Sequence, residues 1–415
     1  MKHSVYKIIL IGFLFVVSNV RSQTPALTIQ QGINTALQNN PAIRSSNLQI
    51  EQQRILGTTY RDFGKTNIGL QYGQSNSIKY DTYFSIEQPI PNPSLFKNQK
   101  AYYEERTKGS QLNLAVTQNE LFYQVKTTYY KLSYFEAVKK LLQSQDTLFA
   151  GFLKAAELRF KTGETNLLEK ATAETQLNEI RNRIQQNEAD ILIARKQLET
   201  FLNSTLPAGV VIDTLNKLTI TSQLMDSVQR NNPQAAHIQQ QINIADRAIA
   251  IEKARGKPDF SISYFNQSII GTQEVNGQPK TFGTGYRFQG VAAGISIPIF
   301  YKPYSSRIKA ATVEKQIAET QYQLFTINLQ GQYQQAFEEY LKNSKNISYY
   351  ETSALANGNL ILRQAQIAFK NGEIGYVEFL QALRTYRDIR SEYLNAINEL
   401  NQSIIRIQYL SGINQ

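Results

Sequence analysis

The 415-residue sequence predicts a mainly helical protein with a small β part, built as a duplicated helix–strand–strand–helix repeat. Three observations lead to this prediction. Short landmarks recur in the same order in both halves of the chain. Long polar stretches carry apolar residues at heptad spacing, and each half contains a pair of short segments in which apolar and polar residues alternate.

The clearest landmark is one motif written twice, FKTGE at 160–164 and FKNGE at 369–373, with a second Glu five residues after the first. The two copies are 209 positions apart. Further landmarks in the same order are Asn-Asn-Pro at 39–41 and 231–233, Leu-Thr-Ile at 27–29 and 218–220, and Ile86, Pro89 and Ile90 with Ile295, Pro298 and Ile299. Four landmarks in one order indicate an internal duplication.

The N-terminus predicts a secretory signal peptide over residues 1–22. Lys2 and Lys7 give a basic start, and the apolar run at 8–17 is too short to span a bilayer. No apolar run of transmembrane length follows it. The rest of the chain is expected to divide into a first repeat (23–203), a linker (204–216) and a second repeat (217–415).

Each repeat is expected to open with two short helices. Thr28 with Gln31 three residues later resembles a capping box, and Asn40 with Pro41 ends one helix and starts the next. A strand hairpin follows. The two strand hairpins are expected at about 64–90 and 258–299, giving four strands per chain.

The strand segments alternate apolar residues with small or polar ones, as in Asn67–Gly73 and Phe260–Tyr264. Strands of about ten residues with this dyad and with Tyr and Phe near their ends fit a transmembrane β-barrel. A half-buried sheet of a soluble domain is the alternative. The apolar parity slips near Gly290, which predicts a bulge there.

The helical stretches are unusually long. No proline occurs between Pro93 and Lys161, so a helix of some 65 residues, roughly 100 Å, is expected there. Its partner is expected at about 165–202. A heptad seam is predicted at Ala173, Leu177, Ile180, Ile184, Asn187, Ile191, Ala194, Leu198 and Phe201, and it persists in register 209 residues later. The long helical hairpins are expected at about 93–203 and 302–411, packed as coiled coils or as the wall of a tube.

The composition argues against an enzyme. The chain has no Cys, and His237 is the only His outside the predicted signal peptide, so His-based triads and zinc or copper sites lack their residues. No phosphate-binding glycine motif follows a strand. We therefore expect no cofactor and no metal site. The net charge of +11 is interspersed without a basic arm, so nucleic acid is not an expected partner.

Four strands cannot close a barrel, and lipid does not tolerate an open sheet edge. Three copies of the chain would supply twelve strands, within the range of known barrels, and enough long helices to wall a tube. The sequence thus predicts a trimer in which long coiled-coil helices form an α-barrel that continues a 12-stranded transmembrane β-barrel.

The Asn-Asn-Pro pairs, the Pro89 and Pro298 junctions and the two Gly turns carry a resemblance to a known family. Over essentially its whole mature length the chain resembles the outer-membrane efflux proteins, the TolC-like channel tunnels. The resemblance implies a homotrimer in outer-membrane lipid with a long periplasmic extension. It also implies two partners, a periplasmic adaptor (membrane fusion protein) and an inner-membrane pump, of RND type. The residues after Gly163 are most similar to the heavy-metal cation efflux branch.

The resemblance places the two Gly turns at the periplasmic tips of the long hairpins, where adaptors dock. The implied docking residues are Phe160, Lys161, Gly163, Glu164 and Thr165 on one tip and Phe369, Lys370, Gly372 and Glu373 on the other. At the periplasmic entrance, or gate, the resemblance aligns Glu378 with an acidic position where a ring of three carboxylates would favour cations. It aligns Glu169 with an acidic member of the network that holds the gate closed. The alternative is that each Gly simply ends a helix and each Glu is an exposed helix carboxylate.

Two departures from the family pattern bear on the gate. Ile374 and Gln381 stand where some relatives place an Arg and a second acid, so a closing network would have to be built differently. Arg384 and Arg387 lie nearby in sequence. The expected function is a passive efflux duct for cations or drugs. The first alternative is an outer-membrane channel for type I protein secretion. The second, less favoured by the sequence, is a periplasmic adaptor or scaffold protein.

Overall fold

The computed structural model describes residues 27–206, 214–220 and 231–412. The predicted signal peptide and most of the predicted linker lie outside the described residues. The helices are α1 (Ile29–Asn39), α2 (Pro41–Gly57), α3 (Pro93–Lys161), α4 (Leu167–Leu202), α5 (Pro233–Arg255), α6 (Lys302–Tyr349), α7 (Leu355–Lys370) and α8 (Tyr376–Ser411). The strands are β1 (Asn67–Gly73), β2 (Asp81–Ile90), β3 (Asp259–Gln267), β4 (Gly271–Val275), β5 (Gln278–Phe282) and β6 (Phe288–Ser296).

None of the described helices combines the length and the hydropathy needed to cross a membrane.

The long helices repeat at the predicted offset. The 69-residue α3 ends at Lys161, and α6, a π-helical segment (Tyr350–Ala354) and α7 together reach Lys370, 209 positions later. Helices α4 and α8 each have 36 residues. The long uninterrupted helix predicted from Pro93 to Lys161 is therefore confirmed. The π-helical segment interrupts the second copy alone.

The predicted heptad seam forms the packing surface of α4. Seven of its nine positions are buried and the other two are half-buried. Of the corresponding positions in α8, five are buried and four half-buried. Helix α4 packs against α3, and α8 packs against both α3 and α6. The core thus runs along the helices as a coiled-coil seam.

The capping signals also hold. Thr28 and Gln31 exchange hydrogen bonds at 3.2 and 3.0 Å, which makes the predicted capping box. Asn40 Oδ1 accepts from the N–H of Ala42 at 2.9 Å and caps α2, with Pro41 in the first turn. Asn232 Oδ1 accepts from the N–H of Ala235 at 3.0 Å and caps α5, so both Asn-Asn-Pro landmarks start a helix.

Strands β1, β2, β3 and β6 form one antiparallel sheet in that order, with β1 and β6 at its edges. Paired residues in an antiparallel sheet point to the same face. The register therefore collects one apolar face, made of Ile68, Leu70, Tyr72, Phe84, Ile86, Phe260, Ile262, Tyr264, Val291 and Ile295. The opposite face carries mostly glycine, serine and other small or polar residues.

The predicted bulge at Gly290 is wrong. Pairing of β3 with β6 runs without a break from Asp259↔Ser296 to Gln267↔Phe288. The parity slips because Phe288 lies on the small-residue face, where its ring packs 5.4 Å from that of Phe282. Gly290 faces Phe265, and a Cβ on this glycine would lie 2.7 Å from the ring.

The connection between the two strands of the second predicted hairpin contains a second small sheet, the hairpin β4–β5. Its two-residue turn, Asn276 and Gly277, has positive φ at both positions (55° and 78°), as a type I′ turn requires. The expected four strands thus form the main sheet, and the additional pair was not predicted.

Candidate functional site

The two helix-to-helix turns at the far ends of the long hairpins have the same backbone. Gly163 has φ +77° and Gly372 has φ +75°. In both turns the N–H of the following Glu donates to a carbonyl five residues back at 2.8 Å. This bond and the left-handed glycine define a Schellman motif, so both glycines are explained by the helix ends that they form.

The next helix is capped differently in the two turns. Asn166 precedes α4, and its side chain accepts from the N–H of Glu169 at 3.1 Å. Gly375 precedes α8 and has no capping side chain. Its N–H instead donates to Glu378 Oε2 at 2.8 Å.

Glu169 sits in a polar cluster that joins the end of α3 to the start of α4. Its Oε1 lies 3.2 Å from Arg159 Nη1, and the Thr165 hydroxyl donates to its other carboxylate oxygen. Its side chain is only 12% exposed. Arg159 also lies 3.9 Å from Glu164. Arg159 was not predicted from the sequence, although it stands four residues before the glycine and so reaches across a turn whose place was predicted.

Glu378 has a different environment despite its equivalent position. It is exposed, and it accepts from the backbone at Gly375. The residues that correspond to Arg159 and Thr165 are Ala368 and Ile374, which offer it no charge or hydroxyl. The second tip therefore leaves its carboxylate directed to solvent where the first tip pairs it.

The predicted docking residues divide by exposure. Lys161, Gly163, Glu164, Lys370, Gly372 and Glu373 are exposed, as is Phe160, and Thr165 is half-buried. Phe369 is packed instead, since its ring stacks 4.5 Å from that of Phe379 at 7° and lies under the Arg159 guanidinium. Beside them lies a group of exposed apolar side chains that was not predicted from the sequence, namely Leu158, Leu167, Leu168, Ile367 and Val377.

Tyr376 lies behind the second tip, against the Phe152 ring at 5.0 Å. Burial raises the pKa of its hydroxyl to about 12, and the nearby Glu169 carboxylate adds to this effect while Arg384 opposes it. The hydroxyl is buried, and no residue that the structure describes is hydrogen-bonded to it. Arg384 donates to Gln176 at 3.3 Å, and Arg387 to its neighbour Asp388 at 3.0 Å. Neither arginine is bonded to Glu169 or Glu378.

Across the described residues, no group of three or more His, Cys, Asp or Glu side chains is arranged to hold a metal ion.

The chain matches one family model, that of the outer membrane efflux proteins, over residues 57–204 and 224–412. No curated protein sequence shows a significant match.

Several solved outer-membrane channels share the fold. The outer-membrane channel OprN is 17% identical, with a TM-score of 0.77 over 92% of this chain and 89% of that one. CusC is 16% identical, with a TM-score of 0.73 over 92% and 91%. VceC from Vibrio cholerae is 12% identical, with a TM-score of 0.75 over 92% and 96%.

The family consists of passive outer-membrane channels with a periplasmic helical tunnel, which work with adaptor and inner-membrane pump partners. The family match covers most of the chain in two segments, one in each predicted repeat. The chain belongs to the outer membrane efflux protein family.

Proposed function

We propose that this chain is the outer-membrane component of a tripartite efflux system. Three copies form a passive duct that carries cations or drugs from a periplasmic adaptor and an inner-membrane pump, of RND type, to the exterior. The observation that carries the proposal is the four-stranded sheet with an exposed apolar face, two unpaired edges and a direct continuation into the long helices.

The apolar face of the sheet suits lipid. Ile68, Leu70 and Val291 are each 70% or more exposed on this face, although apolar residues of these types are usually buried. Strands β2, β3 and β6 have nine or ten residues, about 30 Å at about 3.3 Å per residue. A tilted strand of that length spans an apolar band of about 25 Å.

The edges of the sheet call for further copies. Among the described residues, β1 pairs only with β2, and β6 only with β3. Unpaired backbone groups cost several kcal/mol each in hydrocarbon, so the sheet must close. Three copies related by a cyclic axis would give a 12-stranded barrel lined by the small and polar face.

The hairpin tips are the proposed adaptor-docking surface. Phe160, Leu158, Leu167 and Leu168 present apolar surface there, with Lys161 and Glu164 beside them. Exposed apolar surface rimmed by charge is typical of a protein interface. The second tip adds Lys370, Gly372, Glu373 and Val377. Phe369 would act by holding this tip in place from beneath.

The proposed entrance combines a carboxylate that is paired with an arginine and a carboxylate that is exposed to solvent. Glu169 is bound to Arg159 and Thr165 within one hairpin, so it would keep that tip rigid. Glu378 is exposed, so three copies would place three carboxylates around the opening and favour cations. This arrangement would take the place of the closing network that some relatives build with an Arg and a second acid, since this chain has Ile374 and Gln381 at those positions.

The test measures export in a strain from which the gene has been deleted and which produces a variant of the protein with an altered tip. We expect Gly163→Pro and Gly372→Pro to abolish export while the protein still assembles in the membrane, because proline cannot adopt a positive φ. Gly163→Asn is the matched control, since asparagine tolerates that conformation and should retain export. Normal export by both proline variants would refute the docking role of the tips.

The same strain separates the cargo classes. Loss of tolerance to copper, zinc or cobalt would support cations, which the resemblance to the heavy-metal branch favours. Loss of tolerance to drugs or detergents alone would support drugs and refute the preference for cations. Unchanged tolerance to all of them, with a protein missing from the medium, would support the type I secretion alternative.

A further inference from the structure

The sheet and the helices meet at four junctions, and all four lie at the same end of the sheet. Strands β1 and β3 begin there, and β2 and β6 end there. Two of the junctions are hydrogen-bonded to each other, since Asn92 N–H donates to Asp259 Oδ1 at 2.7 Å and Asn92 Nδ2 to the carbonyl of Pro258 at 3.0 Å. The rings of Phe63 and Phe96 lie 5.1 Å apart.

The positive charge of the chain is concentrated at these junctions. Segments 60–66, 91–100, 253–259 and 300–309 hold ten basic residues and two acidic ones, a net charge of +8. The whole sequence has a net charge of +11. We name these four segments the basic collar. Its basic residues are Arg61, Lys65, Lys97, Lys100, Lys253, Arg255, Lys257, Lys302, Arg307 and Lys309.

Most of this charge is not neutralised within the chain. All ten basic residues are exposed. Arg255 pairs with Glu252 at 2.6 Å, and Lys100 lies 3.9 Å from Glu104. Within the part of the chain that the structure describes, none of the other eight has an acidic partner within ion-pair distance, the lysines Lys65, Lys97, Lys257 and Lys302 among them. The collar therefore carries an excess of exposed positive charge.

The surface changes character at the collar. On the side of the sheet it adjoins the exposed apolar face, and the last residues before α6, Ile297, Ile299 and Phe300, are 60%, 85% and 84% exposed. On the other side begin the polar outer faces of the helices. In membrane proteins, apolar side chains contact the hydrocarbon, and aromatic and basic side chains lie at the level of the headgroups. The surface of this chain changes in the same order.

We propose that the basic collar binds anionic phospholipid headgroups of the periplasmic leaflet of the outer membrane. Lysine and arginine donate to phosphate oxygens, and basic residues next to a membrane surface attract anionic lipid. The inference rests on the part of the proposed function that places the sheet in lipid. It adds a lipid-binding surface that fixes the depth of the barrel at its periplasmic end.

The test uses the purified full-length protein in detergent and native mass spectrometry. We expect more bound phosphatidylglycerol than phosphatidylcholine, and less of it as salt rises. The collar variant is Lys65→Gln, Lys97→Gln, Lys257→Gln and Lys302→Gln together. Each lysine lost near a lipid surface weakens binding about fivefold, so the variant should need at least about ten times more phosphatidylglycerol.

The matched control removes the same charge elsewhere. Lys140, Lys154, Lys342 and Lys345 are exposed lysines of α3 and α6 without ion pairs in the described structure. They lie some 40 or more residues into their helices, about 60 Å or more from the sheet. Changing all four to Gln should leave phosphatidylglycerol binding as in the unaltered protein. Replacing the four collar lysines by Arg should also preserve it.

Three results would overturn the proposal: equal binding of both phospholipids by the unaltered protein, equal losses in the collar and control variants, or a preference for lipopolysaccharide over phosphatidylglycerol. If the collar variant fails to assemble, the comparison of the two phospholipids on the unaltered protein decides. Failure of the proposed function would look different, because a chain whose sheet is not in lipid would remain in the soluble fraction.

Discussion

Arg159 Nη1 lies 3.2 Å from Glu169 Oε1 across the first hairpin turn, whereas in the second turn the equivalent acid is Glu378 and the position of the arginine is occupied by Ala368. The backbone of the two turns is the same to within 2° in the glycine φ. The duplicated hairpins therefore keep one geometry and differ in what their carboxylates can do.

The Arg159–Glu169 pair should restrict the entrance. Since both residues act through one contact, Arg159→Met and Glu169→Gln should raise the single-channel conductance in planar bilayers to a similar extent. The double variant should add little to the conductance change of either single variant. In a double-mutant cycle, the interaction free energy of such a partly exposed ion pair is about 0.5–1 kcal/mol. Glu373→Gln, which removes an exposed acid bonded only to Asn371 in the described structure, is the control. Fully additive effects would show that the pair does not act as a unit.

Glu378 should set the charge preference of the opening. Glu378→Gln removes a carboxylate that is exposed and free of side-chain cations in the described structure. We expect the cation-to-anion permeability ratio, measured from reversal potentials in a salt gradient, to fall in this variant. Glu169→Gln should change the ratio much less, because Arg159 already offsets that charge. An unchanged ratio in Glu378→Gln would place this residue away from the pore.

Glycine should be required at the turns but not within the helices. Gly163→Ala or Gly372→Ala forces a left-handed alanine and should lower the free energy of unfolding by about 1 kcal/mol. Gly151→Ala should raise it by about 1 kcal/mol, since Gly151 lies within α3 and its Cβ would meet no atom within 4 Å. Thermal unfolding followed by circular dichroism measures both. Shifts of the same sign in the two positions would contradict this account.

Tyr376 should make the tip sensitive to alkali. Burial raises the pKa of its hydroxyl in the folded state to about 12, above the value of about 10 in an unfolded chain. The stability that this difference contributes is present below about pH 10 and is lost as the pH rises towards 12. Tyr376→Phe removes an unpaired hydroxyl, so stability near neutral pH should be equal or higher.

The variant should therefore lose less stability than the unaltered protein between about pH 8 and pH 11, as measured by chemical unfolding at each pH. Tyr349→Phe, which changes an exposed tyrosine, should behave as the unaltered protein does. An identical loss in Tyr376→Phe and the unaltered protein would show that this hydroxyl does not couple to folding.

The helical part of the fold could be predicted because its signals are local or periodic. The absence of proline between Pro93 and Lys161, the heptads and the offset of 209 residues each constrain one helix without knowledge of its neighbours. The turn at Gly163 could be predicted for the same reason. The strands were harder to predict, since at the start of β6 the large Phe288 lies on the small-residue face and the polar Gln289 on the apolar face. In the sequence, this local reversal of the alternation looks like a bulge.

The sites depend on contacts between distant segments, and here the sequence was less informative. Arg159 could have been found, because a turn at a known glycine brings the residues before and after it together. The basic collar could not, since its four segments are spread over some 250 residues and each alone carries a net charge of only +1 to +3. The charge is interspersed along the sequence, and it becomes concentrated because the antiparallel strands bring all four junctions to the same end of the sheet.

The central claim is that three copies of this chain close one barrel and one helical tube. Native mass spectrometry of the full-length protein, extracted from membranes and transferred to a detergent that preserves assemblies, tests this claim most directly. The account predicts a single dominant species with three times the mass of the mature chain. A monomer, or any other dominant number of copies, would contradict it.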